Sequence, residues 1–544
     1  MKNFYKIGCL VWKYLKPNKY LVFLFAILSL IDSMVGLIYT YILGQAIDHM
    51  ILAGDKTIML RYAIIFLMIS FASFIVAYFA KTRGQKVMEL AVKECKLQLI
   101  EHIEKTSLRY IESVGTSSFM ERMSYDIQLL IMFVLNTGSQ IPENIIVFGI
   151  SVGIIMYIDV TCGIIALLEL PIIVILYLLF RRKIFFHSRK VAKKREEEYS
   201  KLCETVTDLA HIKKNQIGNL LHDRYIEKAN DFICAVTKKV RISCIYKVLN
   251  DNVETFLKIF LFFYGGFKVI DGTMTVGGFT IIYSYYTMLT SVCSYFLNVG
   301  EEIEGTMAYY ERIQEIENVQ EETNGTIQIN EINKIELSNV YFGYSENEMI
   351  LENFTQSFHK GKLYVVVGGN GCGKSTMVSL ILGMYIEEYQ GKITYNGYSI
   401  KELDMRMLRK EHIGICEQEP YLIEDTIRYN MIYSNNTMED DKLRQLAHQM
   451  SFDEFLNDSE KGLDTQVGEC GNALSGGQKQ KTALVKVFYK NPKVMILDEP
   501  TSAMDMLGQE RLFKYLNEIK KDKIIIVITH DENILKIADE VIRM

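Results

Sequence analysis

Residues 362–376 read KLYVVVGGNGCGKST. The apolar run 363–367 is rich in β-branched residues and does not alternate, which predicts a parallel strand buried on both faces. A glycine loop follows at once. Gly368 and Gly373 bracket four residues and are followed by Lys374 and Ser375, the spacing G-x-x-x-x-G-K-S/T. Glycines lack a Cβ, so the backbone N–H groups of Gly368, Gly369, Asn370, Gly371, Cys372 and Gly373 can converge on phosphate oxygens. The helix opening at Ser375 and Thr376 adds its N-terminal dipole. Lys374 is then placed to bridge β- and γ-phosphates, and the Ser375 hydroxyl to ligate magnesium. The apolar stretch MVSLILGM completes a strand, loop and helix suited to the phosphates of a nucleotide and its Mg2+.

Outward from this loop, composition sets the scale. A chain of 544 residues is too long for one domain, and its 49% hydrophobic content is high for a soluble protein. Only six prolines and one tryptophan interrupt it, so a membrane portion is expected. A net charge of −5 argues against a nucleic-acid partner, which calls for a strongly basic domain. The ten cysteines contain no C-x-x-C pair and no zinc spacing, so they read as reduced thiols on cytosolic faces. Cys372 occupies a free position of the phosphate loop and reads as a tolerated small residue.

Ahead of the loop, the first twenty residues have basic groups but no small-residue cleavage site, which predicts an interfacial helix rather than a signal peptide. Six hydrophobic spans are expected at about 21–43, 62–80, 141–158, 160–180, 253–270 and 279–299, each near the ~20 residues a bilayer core needs. Lys and Arg crowd the N-terminus, the segment from Lys81 and the run from Arg181 to Arg195. The joins near 48–56, 159 and 268–275 are short and poor in basic residues. By the positive-inside rule both ends and both long loops are cytoplasmic.

Four ionisable residues fall within the expected spans: Asp32, Glu143, Glu169, which lies two residues before Pro171, and Lys258. Such groups are expensive in hydrocarbon, so they either line a polar cavity that touches substrate or pair across helices. The aromatic residues Tyr283, Tyr285, Tyr286, Tyr295 and Phe296 read as packing and interfacial groups ahead of substrate contacts.

Two polar, helix-favouring stretches of roughly sixty and seventy residues separate spans two from three and four from five, so these helices extend out of the bilayer and back. Six spans with two such excursions and then a phosphate-loop ATPase resemble an ABC exporter half-transporter. Matching phrases are TSSFMERMSYD at 116–126, ETVTDLAHIK at 204–213, GTMTVGGF at 272–279 and AYYERI at 308–313. The fold class implied is an all-α six-helix membrane domain with long cytoplasmic helical extensions, followed by an α/β nucleotide-binding domain. The expected boundaries are 1–313 for the membrane domain, 314–334 for a linker and 335–544 for the ATPase. The resemblance implies a coupling helix on each excursion, at 116–121 and 205–212.

Within the ATPase the resemblance is specific. Tyr344, in VYFGYS, matches the adenine-stacking aromatic, and Gln418, in ICEQEP, matches the glutamine loop that ligates magnesium and contacts the lytic water. LSGGQ at 474–478 matches the signature motif, whose Ser475, Gly476, Gly477 and Gln478 close over ATP held by a second subunit. In VMILDE, Asp498 is implied to hold magnesium through water and Glu499 to act as general base. Asp505 matches the loop that reports across the dimer, and His530 the switch histidine that contacts the γ-phosphate. Lys374, Gln418, Glu499 and His530 form the expected catalytic set, and Ser375, Gln418 and Asp498 the expected metal ligands. Lys481 and Lys486 stand where the family usually has arginine, keeping charge but losing bidentate geometry. The chain stops at Met544, where relatives continue for a further strand and helix; a naturally short protein and a truncated form both stay open.

The implied function is ATP-driven export by alternating access in a bacterial plasma membrane, with the N-terminus and ATPase cytoplasmic. The intact catalytic set favours a homodimer over pairing with a related half-transporter. The rivals are an exporter-fold importer such as a siderophore system, a soluble ABC ATPase and a nucleotide-gated channel. No peptidase domain precedes the first span, which argues against a self-processing peptide exporter; peptides, lipids and amphipathic drugs remain as cargo.

Overall fold

A chain segment in hydrocarbon must satisfy its own backbone hydrogen bonds, and the N-terminal part of this protein does so with helices. The computed structural model describes residues 2–53, 56–207, 209–344, 348–433, 440–502 and 504–544. It divides into two units, one of Met1–Thr106 with Tyr110–Gln320, the other of Ser107–Arg109 with Glu321–Met544.

In the first unit the long helices are Lys19–Ala53, Lys56–Ile103, Ile127–Ile158, Val160–Thr207, Gly218–Ile270 and Val276–Glu317. The 48 residues of Lys56–Ile103 rise roughly 70 Å, more than twice the ~30 Å of a bilayer core, as the expected excursions require. Among the described residues four helical stretches are long and apolar enough to cross a membrane: Asn3–Met50, Lys56–Ile103, Ser118–Ile158 and Val160–Thr207. They contain the first four expected spans. The fifth and sixth lie on Gly218–Ile270 and Val276–Glu317, where Thr, Ser, Tyr and charged residues dilute the apolar run.

The N-terminal helix Lys2–Leu15 is amphipathic: Ile7, Val11 and Tyr14 are fully buried, whereas Tyr5 and Trp12 face outward. Tyr14 donates to Glu317, at the far end of the unit's last helix. The phrase GTMTVGGF forms a tight helix start. Thr275 caps Val276–Glu317 by accepting from Gly278 N–H, and Asp48 accepts from Gly277 N–H at 2.7 Å. A Cβ on Gly277 would lie 2.2 Å from the Gly44 carbonyl oxygen, so only glycine lets the two backbones approach.

The stretch Thr116–Glu121 is helical, as expected, but does not stand alone. It runs through the π-turn Arg122–Asp126 into Ile127–Ile158. The separate short helix is Leu108–Val114, ended by Gly115 at φ +79°. Its first residues belong to the second unit, where Leu108 packs on the apolar core and Arg109 donates to the Tyr344 carbonyl at 3.2 Å. The other expected coupling segment, 205–212, falls on Val160–Thr207 and Leu209–Asn215, and its Asp208 lies outside the described residues.

The second unit holds two sheets. Strands β1 (Lys334–Phe342), β2 (Leu351–His359), β4 (Gln390–Tyr395) and β5 (Tyr398–Ser399) form an antiparallel sheet in the order β2-β1-β4-β5. Strands β3 (Lys362–Val367), β6 (Ile413–Cys416), β7 (Val494–Asp498), β8 (Ile524–Ile528) and β9 (Glu540–Arg543) form a parallel sheet in the order β6-β7-β8-β3-β9. Along β3, Tyr364 and Val366 enter one core with Ile496 and Ile526, while Leu363 and Val365 enter the other with Leu497 and Val527. Both faces of the strand are covered, which is why its sequence does not alternate.

Candidate nucleotide site

The parallel register gathers the motifs. Val366 of β3 pairs with Ile528 of β8, Ile528 with Asp498 of β7, and Leu497 with Cys416 of β6. Gly368, His530, Glu499 and Gln418 follow within two residues of these pairs, so all four emerge at the same carboxyl edge, where open α/β sheets bind ligands.

At that edge the phosphate loop is held by its own lysine. Lys374 Nζ donates to the carbonyls of Gly368 at 2.7 Å and Gly369 at 2.9 Å. Gly371 and Gly373 take φ of +80° and +99°, and a Cβ on Gly373 would sit 2.8 Å from Leu351 Cδ2. The loop then enters the helix Lys374–Ile381, with Thr376 buried on its first turn. Tyr344 is 45% exposed, its ring edge-on to Phe342 and Tyr385, and its hydroxyl lies 3.3 Å from Thr376 Oγ1. This places an open aromatic surface beside the phosphate loop.

Glu499 sits just past the end of β7 in the left-handed region, at φ +46°, a conformation that costs a non-glycine residue about 1–3 kcal/mol and clusters at active sites. It is held there from both sides: its N–H donates to the Ile528 carbonyl at 2.8 Å, and its own carbonyl accepts from Gln480 Nε2. Thr529 Oγ1 donates to the Glu499 carboxylate at 3.2 Å, whereas His530 Nε2 lies 4.0 Å from it, beyond a hydrogen bond. Burial pushes the Asp498 carboxyl above the usual carboxylate range; Glu499 and Glu417 add to the rise and Lys374 opposes it. Gln418 is exposed, two residues beyond β6.

Magnesium takes hard oxygen ligands and keeps water and phosphate among them. Ser375, Gln418 and Asp498 offer a hydroxyl, an amide oxygen and a carboxylate, and the crowding of acids about Asp498 is the kind a divalent cation relieves. Among the described residues no three His, Cys, Asp or Glu side chains form a metal cage, so most positions fall to phosphate and water. The residues present fit the ion.

The signature residues open the helix Gly476–Lys490. Ser475 Oγ accepts from Gln478 N–H at 3.3 Å while Gln478 Oε1 accepts from Ser475 N–H at 2.8 Å, a reciprocal capping box. Asp505 likewise caps Met506–Ile519, accepting from Gly508 N–H. Lys481 donates to the Ser451 carbonyl and Lys486 to the Tyr433 hydroxyl, contacts a single ammonium can make.

Two groups at the site escape motif reading. Gln480 is buried and donates to both the Glu499 carbonyl and Ser502 Oγ; Thr529 holds the Glu499 carboxylate. The signal for Gln480 was a polar residue three and four positions before Ala483 and Leu484, on the buried stripe of its helix, where a side-chain amide must find partners.

In the membrane unit the four ionisable residues part into two groups. Glu169 is buried and accepts from Tyr286 OH at 3.1 Å, and Lys258 pairs with Glu254, which also accepts from Thr290. Asp32 and Glu143 instead line a cavity of about 590 Å³. Tyr285 and Tyr286 are fully buried packing groups, Tyr285 donating to the Leu37 carbonyl.

Comparison with known proteins agrees with this geometry. Residues 22–292 match the ABC transporter transmembrane region and residues 351–502 the ABC transporter family. The ABC transporter ATP-binding protein YwjA of Bacillus subtilis, itself uncharacterized, is 25% identical over 98% of this chain and 93% of its own length. Bacillus subtilis YgaD, provisionally named a multidrug export ATP-binding/permease protein, is also 25% identical, over 98% and 93%. A bacterial Atm1-family ABC exporter solved with ATP bound shares the fold at a TM-score of 0.84 and 21% identity, covering 97% of this chain and 93% of that one. The chain therefore belongs to the ABC transporter family, as an exporter-type half-transporter that fuses the transmembrane region to its ATPase.

Proposed function

We propose that two copies of this chain pair to hold two Mg–ATP molecules between them, and that this closure drives export of an amphipathic substrate. The observation that carries the reading is the signature turn. Gly476 is exposed at the helix start, and a Cβ there would meet nothing within 4 Å. Glycine is worth roughly 1 kcal/mol less than alanine in a helix, and nothing among the described residues requires it at that position. A turn kept open, with free backbone donors and a serine hydroxyl, suits a phosphate arriving from outside the chain.

In this reading Lys374 and the loop N–H groups grip the phosphates and Tyr344 stacks on the base. Glu499, set by Gln480 and Thr529, takes the proton of the attacking water. Magnesium, when bound through Ser375, Gln418 and Asp498, neutralises charge on the phosphate oxygens. His530 is the γ-phosphate contact, swinging from its exposed position. Asp505 reports across the pair. The ATPase and N-terminus are cytoplasmic, in a bacterial plasma membrane, as the Lys/Arg distribution favours.

Glu499→Gln tests the base: ATP binding should persist while turnover falls by two orders of magnitude or more, on the order of the 10²–10⁴ a general base supplies. Wild-type turnover in that variant would remove the assignment.

A further inference from the structure

We propose that the cavity holding Asp32 and Glu143 is a binding site for cationic amphipathic small molecules. This deepens the transport reading above and rests on it. The cavity lies among the helices Lys19–Ala53, Lys56–Ile103 and Ile127–Ile158, within the membrane unit. Its volume of about 590 Å³ falls inside the ~300–1,000 Å³ of small-molecule sites.

Its lining is divided by chemistry. Phe25 and Met132 supply apolar wall, Asn136 an amide, Asp32 and Glu143 carboxylates, and Lys81 a single ammonium. Both acids line this one cavity. Asp32 accepts from Ser73 Oγ at 3.0 Å, yet among the described residues neither acid has a cationic partner. The contrast with Glu254, which is paired to Lys258 in the same unit, is direct. Asp32 lies inside the first expected span and Glu143 at the cytoplasmic end of the third, and a carboxylate left without a counter-ion in such a segment is costly and marks substrate and ion pathways. An occupant with one positive charge and a flat apolar body answers both halves of the lining, the charge offsetting the acids and the body covering Phe25 and Met132. An anionic occupant would meet two carboxylates against one lysine.

The test uses full-length protein in lipid nanodiscs and two dyes of similar size, the permanent cation rhodamine 6G and the neutral Nile red, with affinity read by fluorescence anisotropy. Asp32→Asn combined with Glu143→Gln should weaken rhodamine 6G binding about tenfold or more, the scale of a partly buried charge interaction, and leave the two dyes bound alike. Lys81→Met should tighten rhodamine 6G about threefold, a gain that misfolding cannot produce. Unchanged rhodamine 6G affinity in both variants overturns the proposal. So does an equal loss of both dyes in the acid variant together with no gain in Lys81→Met. Such a failure with ATP turnover still abolished by Glu499→Gln would sink the cation assignment and leave the transporter reading standing.

Discussion

Asp498 and Glu499 are neighbours in sequence with different environments. Asp498 ends a buried strand among acids, and Glu499 turns out of it in a left-handed conformation. A carboxyl whose pKa is raised by folding is penalised when charged, and that penalty grows as pH rises through the folded value and vanishes below the unfolded one. Asp498→Asn should therefore stabilise the protein without nucleotide at pH 7, by about 0.5–2 kcal/mol, and the gain should fade towards pH 4. The same variant should lose magnesium-dependent nucleotide binding. Thermal unfolding across pH checks the first claim, and a midpoint equal to or below wild type at pH 7 contradicts it.

Residue-scale legibility followed locality. The phosphate loop, LSGGQ and VMILDE are contiguous, so the loop's spacing points to Lys374 and the family resemblance to Ser475 and Glu499. Thr529 and Gln480 act on Glu499 from thirty and nineteen residues away, through sheet register and helix packing that no local pattern encodes.

At the scale of elements, the proposed function gives Ser475 two separable duties. Ser475→Ala removes the side-chain cap of Gly476–Lys490 and should cost about 1 kcal/mol in stability. Ser475→Asp keeps a capping oxygen and should leave stability near wild type, but it sets a negative charge where a phosphate must approach and should abolish ATP turnover. Equal turnover in the Asp variant and wild type would leave the turn as a cap alone. In the membrane unit Arg312 joins three helices, reaching Glu121 at 2.6 Å, Asp126 at 3.1 Å and Glu196 at 3.8 Å, with Glu121 and Asp126 buried. Arg312→Met should destabilise that unit by about 3–5 kcal/mol, because two buried carboxylates lose their counter-ion. Adding Glu121→Gln and Asp126→Asn should restore most of the loss in a detergent thermal-shift measurement. Element positions were legible where one apolar run made one helix. They were not where Gly115 divides two short helices: a glycine followed by Thr and Ser reads as a helix start, and only the π-turn beyond it shows that this start belongs to the third span.

For the whole molecule, the account turns on nucleotide being shared. A P-loop and a signature turn in one chain can serve one site in that chain or two sites between copies, and a two-fold pair gives the second arrangement. The decisive measurement is occlusion of radiolabelled ATP in the Glu499→Gln background, using one chain that also carries Lys374→Ala and another that also carries Ser475→Asp. Each alone should occlude nothing. Co-assembled in equal amounts, random pairing makes one intact composite site in each mixed dimer, so occlusion should return to roughly a quarter of the Glu499→Gln parent. A mixture that occludes no more ATP than its two components would place both halves of the site in one chain and contradict the account.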